Sequence, residues 1–192
     1  MSYATYTTDA LVCGAFDRNT ADRSYLLFTR EAGMLYAEGK SVREERSKQR
    51  YALQELSQIR ISLIKGKHTW KVGSVEATVN DYARAVSREA RGSVSSIYKL
   101  LRRYIHGEEA SPALYDYCVE ALSLLTGEVS ERALLDLVVQ VNILRRLGYV
   151  DEAALPESVR ILDQLALPSE PAPELVKTLT SLLERAALNS QL

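Results

Sequence analysis

Residues 40–50, KSVREERSKQR, separate two groups of strand-like segments, RSYLLFTREAGMLYAEG at 23–39 and QIRISLIKGKHTWKVG at 58–73. Residues 24–30 are rich in β-formers and 34–38 continue the pattern. Between them Glu31-Ala32-Gly33 reads as a hairpin connection, with Gly33 where positive φ is needed. Over 58–65 the alternation is regular: Ile59, Ile61 and Leu63 share one face, and Arg60, Ser62 and Ile64 share the other. Lys65-Gly66-Lys67 forms a second turn, after which 68–72 returns with Trp70 and Val72 on one face and Thr69 and Lys71 on the other. Upstream, 10–16 is short and apolar. The polar stretch 42–56, between the third and fourth strands, is compatible with a helix.

Five strands with a helical connection after the third is the order of an OB-fold barrel, an architecture that commonly binds single strands. Beyond residue 77 the pattern becomes helical. A helix is expected over 79–91, stopping at Gly92. A second, over 93–106, carries Val94, Ile97, Leu100, Leu101, Tyr104 and Ile105 at helical spacing and stops at Gly107. Ser111-Pro112 starts a third that runs to Thr126, with serine as cap and proline at the first position. Ser130 caps a fourth, which ends at Gly148. A shorter helix over 155–167, breaks at Pro168, Pro171 and Pro173, and an amphipathic helix over 174–188 complete the chain. The expected fold class is α+β: a five-stranded OB-fold β-barrel at 1–78 followed by an α-helical bundle at 79–192.

At 192 residues, with 46% apolar and 26% charged side chains, the chain can bury a sizeable core. No apolar run approaches the roughly 20 residues that span a bilayer. The stretch MSYATYTTDA lacks a secretory pattern, so a cytoplasmic location is expected. Two cysteines and two histidines form no ligand cluster by spacing, so neither zinc nor a disulfide framework nor another cofactor is expected. Nucleotide-binding glycine loops, zinc-protease and nucleophile-elbow motifs are all missing. Cys13 and Cys118 read as core, His68 and His106 as surface or capping residues, and Glu44-Glu45 and Glu108-Glu109 as solvated pairs. The chain is not expected to be an enzyme.

The charges are unevenly distributed. Residues 40–103 hold fifteen basic and six acidic side chains, net +9, while 104–192 hold six and fourteen, net -8. The middle segment is where a polyanion would bind. Lys40, Arg43, Arg46, Lys48 and Arg50 crowd the connection after the third strand, and Lys65, Lys67 and Lys71 surround the last hairpin turn. Arg84, Arg88 and Arg91, at i, i+4 and i+7, line one face of the first helix, and Lys99, Arg102 and Arg103 do the same on the second. These cations would neutralise phosphates and release counterions. Trp70, Tyr36, Tyr25 and Phe28 are candidates either for base stacking or for the barrel core.

The stretch 22–77 resembles the N-terminal domain of the RecO family of bacterial recombination mediators. Phe28-Thr29-Arg30-Glu31, Gly33, Lys40, Arg43, Ser47, Leu53, Gly66, Trp70 and Val75-Glu76-Ala77 carry the resemblance. LYDYCVEALSLL at 114–125 and LRRLGY at 144–149 are similar in character to the family's helices. The resemblance implies an OB-fold followed by a helical domain, binding of single- and double-stranded DNA, and annealing of complementary strands. It also implies work with RecR and single-stranded-DNA-binding protein in loading RecA. The chain departs from the family in lacking a four-cysteine zinc module, in its length, and in FDRNTA at 16–21, where the family has a "YGE" run. Arg102 and Arg103, or Arg145 and Arg146, are candidate contacts for the acidic tail of single-stranded-DNA-binding protein. Two alternatives remain open at this point: an RNA-binding OB-fold protein, and a protein–protein adaptor whose basic face is merely solvated.

Overall fold

The computed structural model describes residues 5–67, 69–155, 165 and 173–189. Five strands, β1 (Thr5–Asp17), β2 (Arg23–Thr29), β3 (Gly33–Gly39), β4 (Ser57–Lys65) and β5 (Trp70–Asn80), close into a barrel in the order β1-β2-β3-β5-β4. β1 pairs antiparallel with both β2 and β4, and its register shifts between Val12 and Gly14. Such a bulge bends a long strand so that it can serve two neighbours. β3 and β5 close the ring as a short parallel seam, Ala37 opposite Trp70 and Glu38 opposite Lys71. This is the OB-type order expected from the strand pattern.

The barrel interior is filled by Ala10, Val12, Tyr25, Leu27, Leu35, Ala37, Ile59, Ile61, Leu63 and Trp70. Val42 and Leu53 join them from the connection after β3. That connection is mostly turns, with one short helix, α1 (Gln49–Ala52), because its largest buried apolar residues, Val42 and Leu53, are drawn into the barrel and not along one helical face.

The outward residues Leu11 and Cys13 of β1, Leu26 and Phe28 of β2 and Met34 of β3 are buried too, in a second core shared with the helices. Both faces of these strands are covered, which explains why ALVC and YLLF read as continuous apolar runs. The helices are α2 (Asp81–Arg84), α3 (Arg88–Tyr104), α4 (Pro112–Leu125), α5 (Arg132–Arg146) and α6 (Pro173–Asn189). α6 contributes Leu175, Leu179, Leu182 and Ala186 to the shared core. The helix expected over 155–167 lies outside the described residues except at Leu155 and Leu165, and His68 lies outside them as well.

The start of the helical half differs from expectation. Residues 79 and 80 complete β5, Asn80 caps α2 by accepting from the Ala83 N–H, and the chain breaks at Ala85. Ser87 then caps α3, its side chain accepting from the Ala90 N–H. α3 runs through Gly92, which is solvent-exposed, without ending there. A glycine costs a helix only about 1 kcal/mol relative to alanine, so a good cap upstream and an apolar face downstream outweigh it. At the next helix, Ser111 makes no side-chain capping bond, although Pro112 does occupy the first turn.

Asp81 is fully buried where barrel and helices meet. Its Oδ2 accepts from the Tyr98 hydroxyl at 2.8 Å and its Oδ1 from Gln58 Nε2 at 2.9 Å. Its backbone N–H donates to Leu56 O at 2.9 Å. Burial pushes the carboxyl above its ordinary 3.8, opposed by the bonds from Tyr98 and Gln58. Between 3.8 and the raised value the folded protein therefore holds this proton more firmly than the unfolded chain, so Asp81's contribution to stability falls as pH rises through that window. Asp81→Asn removes this titration. Urea unfolding of both proteins from below pH 3.8 to neutrality should show the wild-type advantage shrinking with rising pH. A constant difference would contradict the assignment.

Candidate nucleic-acid interface

The predicted cations of the barrel loops fall into two groups. Lys40, Lys48, Lys67 and Lys71 are exposed, and Arg46 projects with 90% of its side chain accessible despite a 3.1 Å contact with Glu44. The others are held by the fold. Arg43 Nη1 donates to Asn19 O at 2.7 Å and lies 3.4 Å from Asp17, while its backbone N–H donates to Ala21 O. With the Ser41 N–H on Asp22 Oδ1, it staples the β1–β2 loop to the connection after β3. A hydrogen bond from Arg23 holds the Asp17 carboxyl below its ordinary range, and the Asn19 side chain, then the Ser41 N–H, do the same for Asp22. Arg50 folds over Tyr51, 4.6 Å from the ring centroid. Lys65 lies over Trp70 and 3.7 Å from Glu108, whose Oε1 also accepts from Trp70 Nε1 at 2.9 Å.

Three of the four aromatic candidates are core residues: Trp70, Tyr25 and Phe28 are buried. Tyr36 is 58% exposed on the outer face of β3. Beside it is a ring that sequence reasoning missed, Phe16, 40% exposed with its centroid 6.2 Å from that of Tyr36. By strand alternation Phe16 should point inward with Ala10 and Val12. The bulge between Val12 and Gly14 reverses the parity, so Ala15 packs toward the interior and Phe16 faces out. Gly14, a lone glycine within the strand, sits at that bulge and is the local signal that could have marked it.

The helical cations are regrouped. Arg84 is on α2, where its Nη2 donates to Ser123 Oγ at 3.3 Å, and does not share a helix with Arg88 and Arg91. Because α3 continues past Gly92, Arg88, Arg91, Lys99, Arg102 and Arg103 all lie on one exposed stripe, within an arc of about 120° at 100° per residue. Among the described residues, Arg88, Arg91, Lys99 and Arg102 form no ion pair with a carboxylate. Arg102 instead stands 5.7 Å from the centroid of Phe16, and Arg91 stands 5.6 Å from that of Tyr82.

The four arginines expected to meet a partner turn to different elements. Arg102 reaches β1, while Arg103 covers Tyr104 and donates to Ala187 O at 3.3 Å. Arg145 is 14% exposed and lies 3.2 Å from Glu152, and Arg146 covers Tyr117.

Among the described residues no three His, Cys, Asp or Glu side chains gather as a metal site, and no helix is long and apolar enough to cross a membrane. Cys13 and Cys118 are buried in the shared core, and burial pushes the Cys13 thiol up to about 12 and raises Cys118 as well. Neither is placed to act as a nucleophile.

The sequence model of a family described as "Recombination protein O C terminal" matches residues 87–150. A curated relative, DNA repair protein RecO of Heliobacterium modesticaldum (strain ATCC 51547 / Ice1), is 31% identical over 151 residues, covering 78% of this chain and 54% of that protein. The chain is similar to RecO proteins over these residues. It spans about half the length of that relative. The RecO C-terminal match begins at the Ser87 cap and takes in α3, α4 and α5, so the basic stripe of α3 lies inside the region that marks the family.

Proposed function

We propose that this RecO-like chain serves DNA repair and homologous recombination without catalysing a reaction. It binds single- and double-stranded DNA, anneals complementary strands and helps to load a recombinase. The observation that carries this reading is the combination of a closed OB-type barrel, exposed cations on its loops and on α3, and similarity to RecO proteins. Lys40, Arg46, Lys48, Lys67 and Lys71 take phosphates from solvent, whereas Arg43, Arg50 and Lys65 shape the loops that present them. Neutralised phosphates let two strands approach, and base pairing then supplies the free energy of annealing.

The proposed division of labour puts the barrel, 1–78, on DNA. The basic first helices, which carry Arg84, Arg88 and Arg91, join it there, and the acidic remainder, net -8 over 104–192, faces protein partners, RecR and single-stranded-DNA-binding protein among them, in the cytoplasm.

The test is fluorescence anisotropy of a labelled single-stranded oligonucleotide across a salt series, followed by addition of its complement to the same samples. Salt-sensitive binding with accelerated annealing is expected. Absence of binding at low salt would remove the DNA reading and leave the adaptor reading in front. Replacing Lys40, Lys48 and Lys71 together by alanine should flatten the salt slope by about 0.7 per lost single-strand phosphate contact, about 2 for all three. An unchanged slope would show that the loops do not carry the DNA.

A further inference from the structure

We infer that Phe16 and Tyr36, with Arg102 of α3 beside them, form a base-stacking platform for single-stranded DNA, and that the α3 stripe is the track for its phosphates. The inference deepens the DNA-binding reading above and rests on it.

Phe16 and Tyr36 come from β1 and β3, on either side of β2. Phe16 is paired with Ser24 and Tyr36 with Leu26. The small Ser24 leaves room for the two rings to meet above β2, 6.2 Å apart and tilted by 49°. Both are left half in water, one contiguous aromatic patch and not two scattered side chains. The Arg102 guanidinium stands over Phe16, so a cation and two π-faces are presented together. Beside Tyr36 opens a groove of about 400 Å³, lined by Tyr36, Trp70, Arg102, Ile105, His106 and Glu108. That volume lies in the range of small-ligand clefts and accommodates a nucleobase.

The local charge favours a polyanion. Asp17 is paired with Arg23 and Arg43, Glu38 with Arg18, and Glu108 with Lys65, so these three carboxylates are already neutralised. From Arg102 the stripe continues through Lys99 and Arg91 to Arg88, a path of about 21 Å at 1.5 Å per residue. A second exposed ring, Tyr82, sits under Arg91 at the other end. Cations alone hold single and double strands alike. Rings add affinity only for bases whose faces are free, which a duplex does not offer.

The test compares the full chain with its Phe16→Ala/Tyr36→Ala variant, using labelled oligo(dT) and a duplex of the same length in anisotropy titrations across salt. Stacking on alanine removal is worth roughly tenfold per base, so oligo(dT) affinity should fall by at least about tenfold with its salt slope unchanged. Duplex affinity should stay within about twofold, because only ring contacts are removed. Lys99→Ala should do the reverse, flattening the slope for both ligands.

In a Tyr36→Trp variant, which keeps a surface ring, oligo(dT) should quench the new emission. Equal losses on the two ligands, no loss on oligo(dT), or binding without quenching would each overturn the platform. A wild-type chain that binds neither ligand would overturn the DNA reading itself. A wild-type chain that binds with a salt slope while the double variant binds equally well would overturn the platform alone.

Discussion

Phe28→Ala is expected to lower the folding free energy by about 3–5 kcal/mol, the usual range for a buried phenylalanine emptied to alanine. Phe28 is fully buried, yet it points away from the barrel interior and packs 5.6 Å, centroid to centroid, from Tyr115 of α4. It belongs to the core that β1, β2 and β3 share with the helices. The cavity would open at the join between the two halves, where the surrounding strands and helices cannot both collapse to fill it. Against a total stability of about 5–15 kcal/mol this is a large fraction.

Urea unfolding can be followed by Trp70 fluorescence, which reports the barrel, and by far-ultraviolet dichroism, which is dominated by the helices. Both midpoints should move down together, because one core serves both halves. A shift in the helical signal alone would show that the barrel does not depend on this contact.

Gly33→Ala is expected to cost about 2–5 kcal/mol, adding the left-handed backbone penalty to overpacking. Gly33 has φ +67° in the β2–β3 turn. A Cβ there would run into the backbone of Glu109, 2.7 Å from its nitrogen and 2.8 Å from its carbonyl carbon, and closer still to its oxygen. The Met34 N–H donates to Gly107 O at 3.0 Å, so the hairpin cannot swing away without losing that bond. Gly148 makes the comparison clean: its φ is +80° but nothing lies within 4 Å of a Cβ, so Gly148→Ala should show the backbone penalty alone. Thermal melts should place the Gly33 variant well below the Gly148 variant, at about 2–4 °C per kcal/mol for a chain of this size. Equal melting temperatures would mean that the Glu109 backbone yields freely.

The barrel was legible because its inward residues obey a simple period. Ile59, Ile61 and Leu63 alternate as read, Trp70 and Val72 face the interior while Lys71 does not, and Gly33 takes the positive φ that the turn requires. What was not legible depends on contacts between distant residues. Gly92 looks like a helix stop, yet α3 crosses it because Ser87 caps the helix and its apolar face is buried on the barrel. Phe16 looks like a core residue until a bulge three residues earlier reverses it.

Charge composition located the basic middle of the chain but could not separate cations available to a ligand from cations already engaged. Arg43 donates from Nη1 to Asn19 O, Lys65 lies against Trp70 and Glu108, and Arg145 is largely buried beside Glu152. Asn19 and Glu108 are far from their cations in sequence, and Trp70 and Glu152, though only five and seven residues away, belong to other elements, so the pairings depend on how the chain folds.

The parallel seam between β3 and β5 gives the ring a built-in weak point. Every other junction is a longer antiparallel ladder, while this one is registered only at Ala37–Trp70 and Glu38–Lys71. Parting it breaks the fewest backbone bonds, so local opening short of global unfolding is expected to begin there. The seam ends beside Lys40 and Lys71, two of the cations proposed to take phosphates. Amide exchange at those strand ends should therefore report the spacing of the two loops, the coordinate along which the proposed interface would fit strands of different girth while the core stays shut.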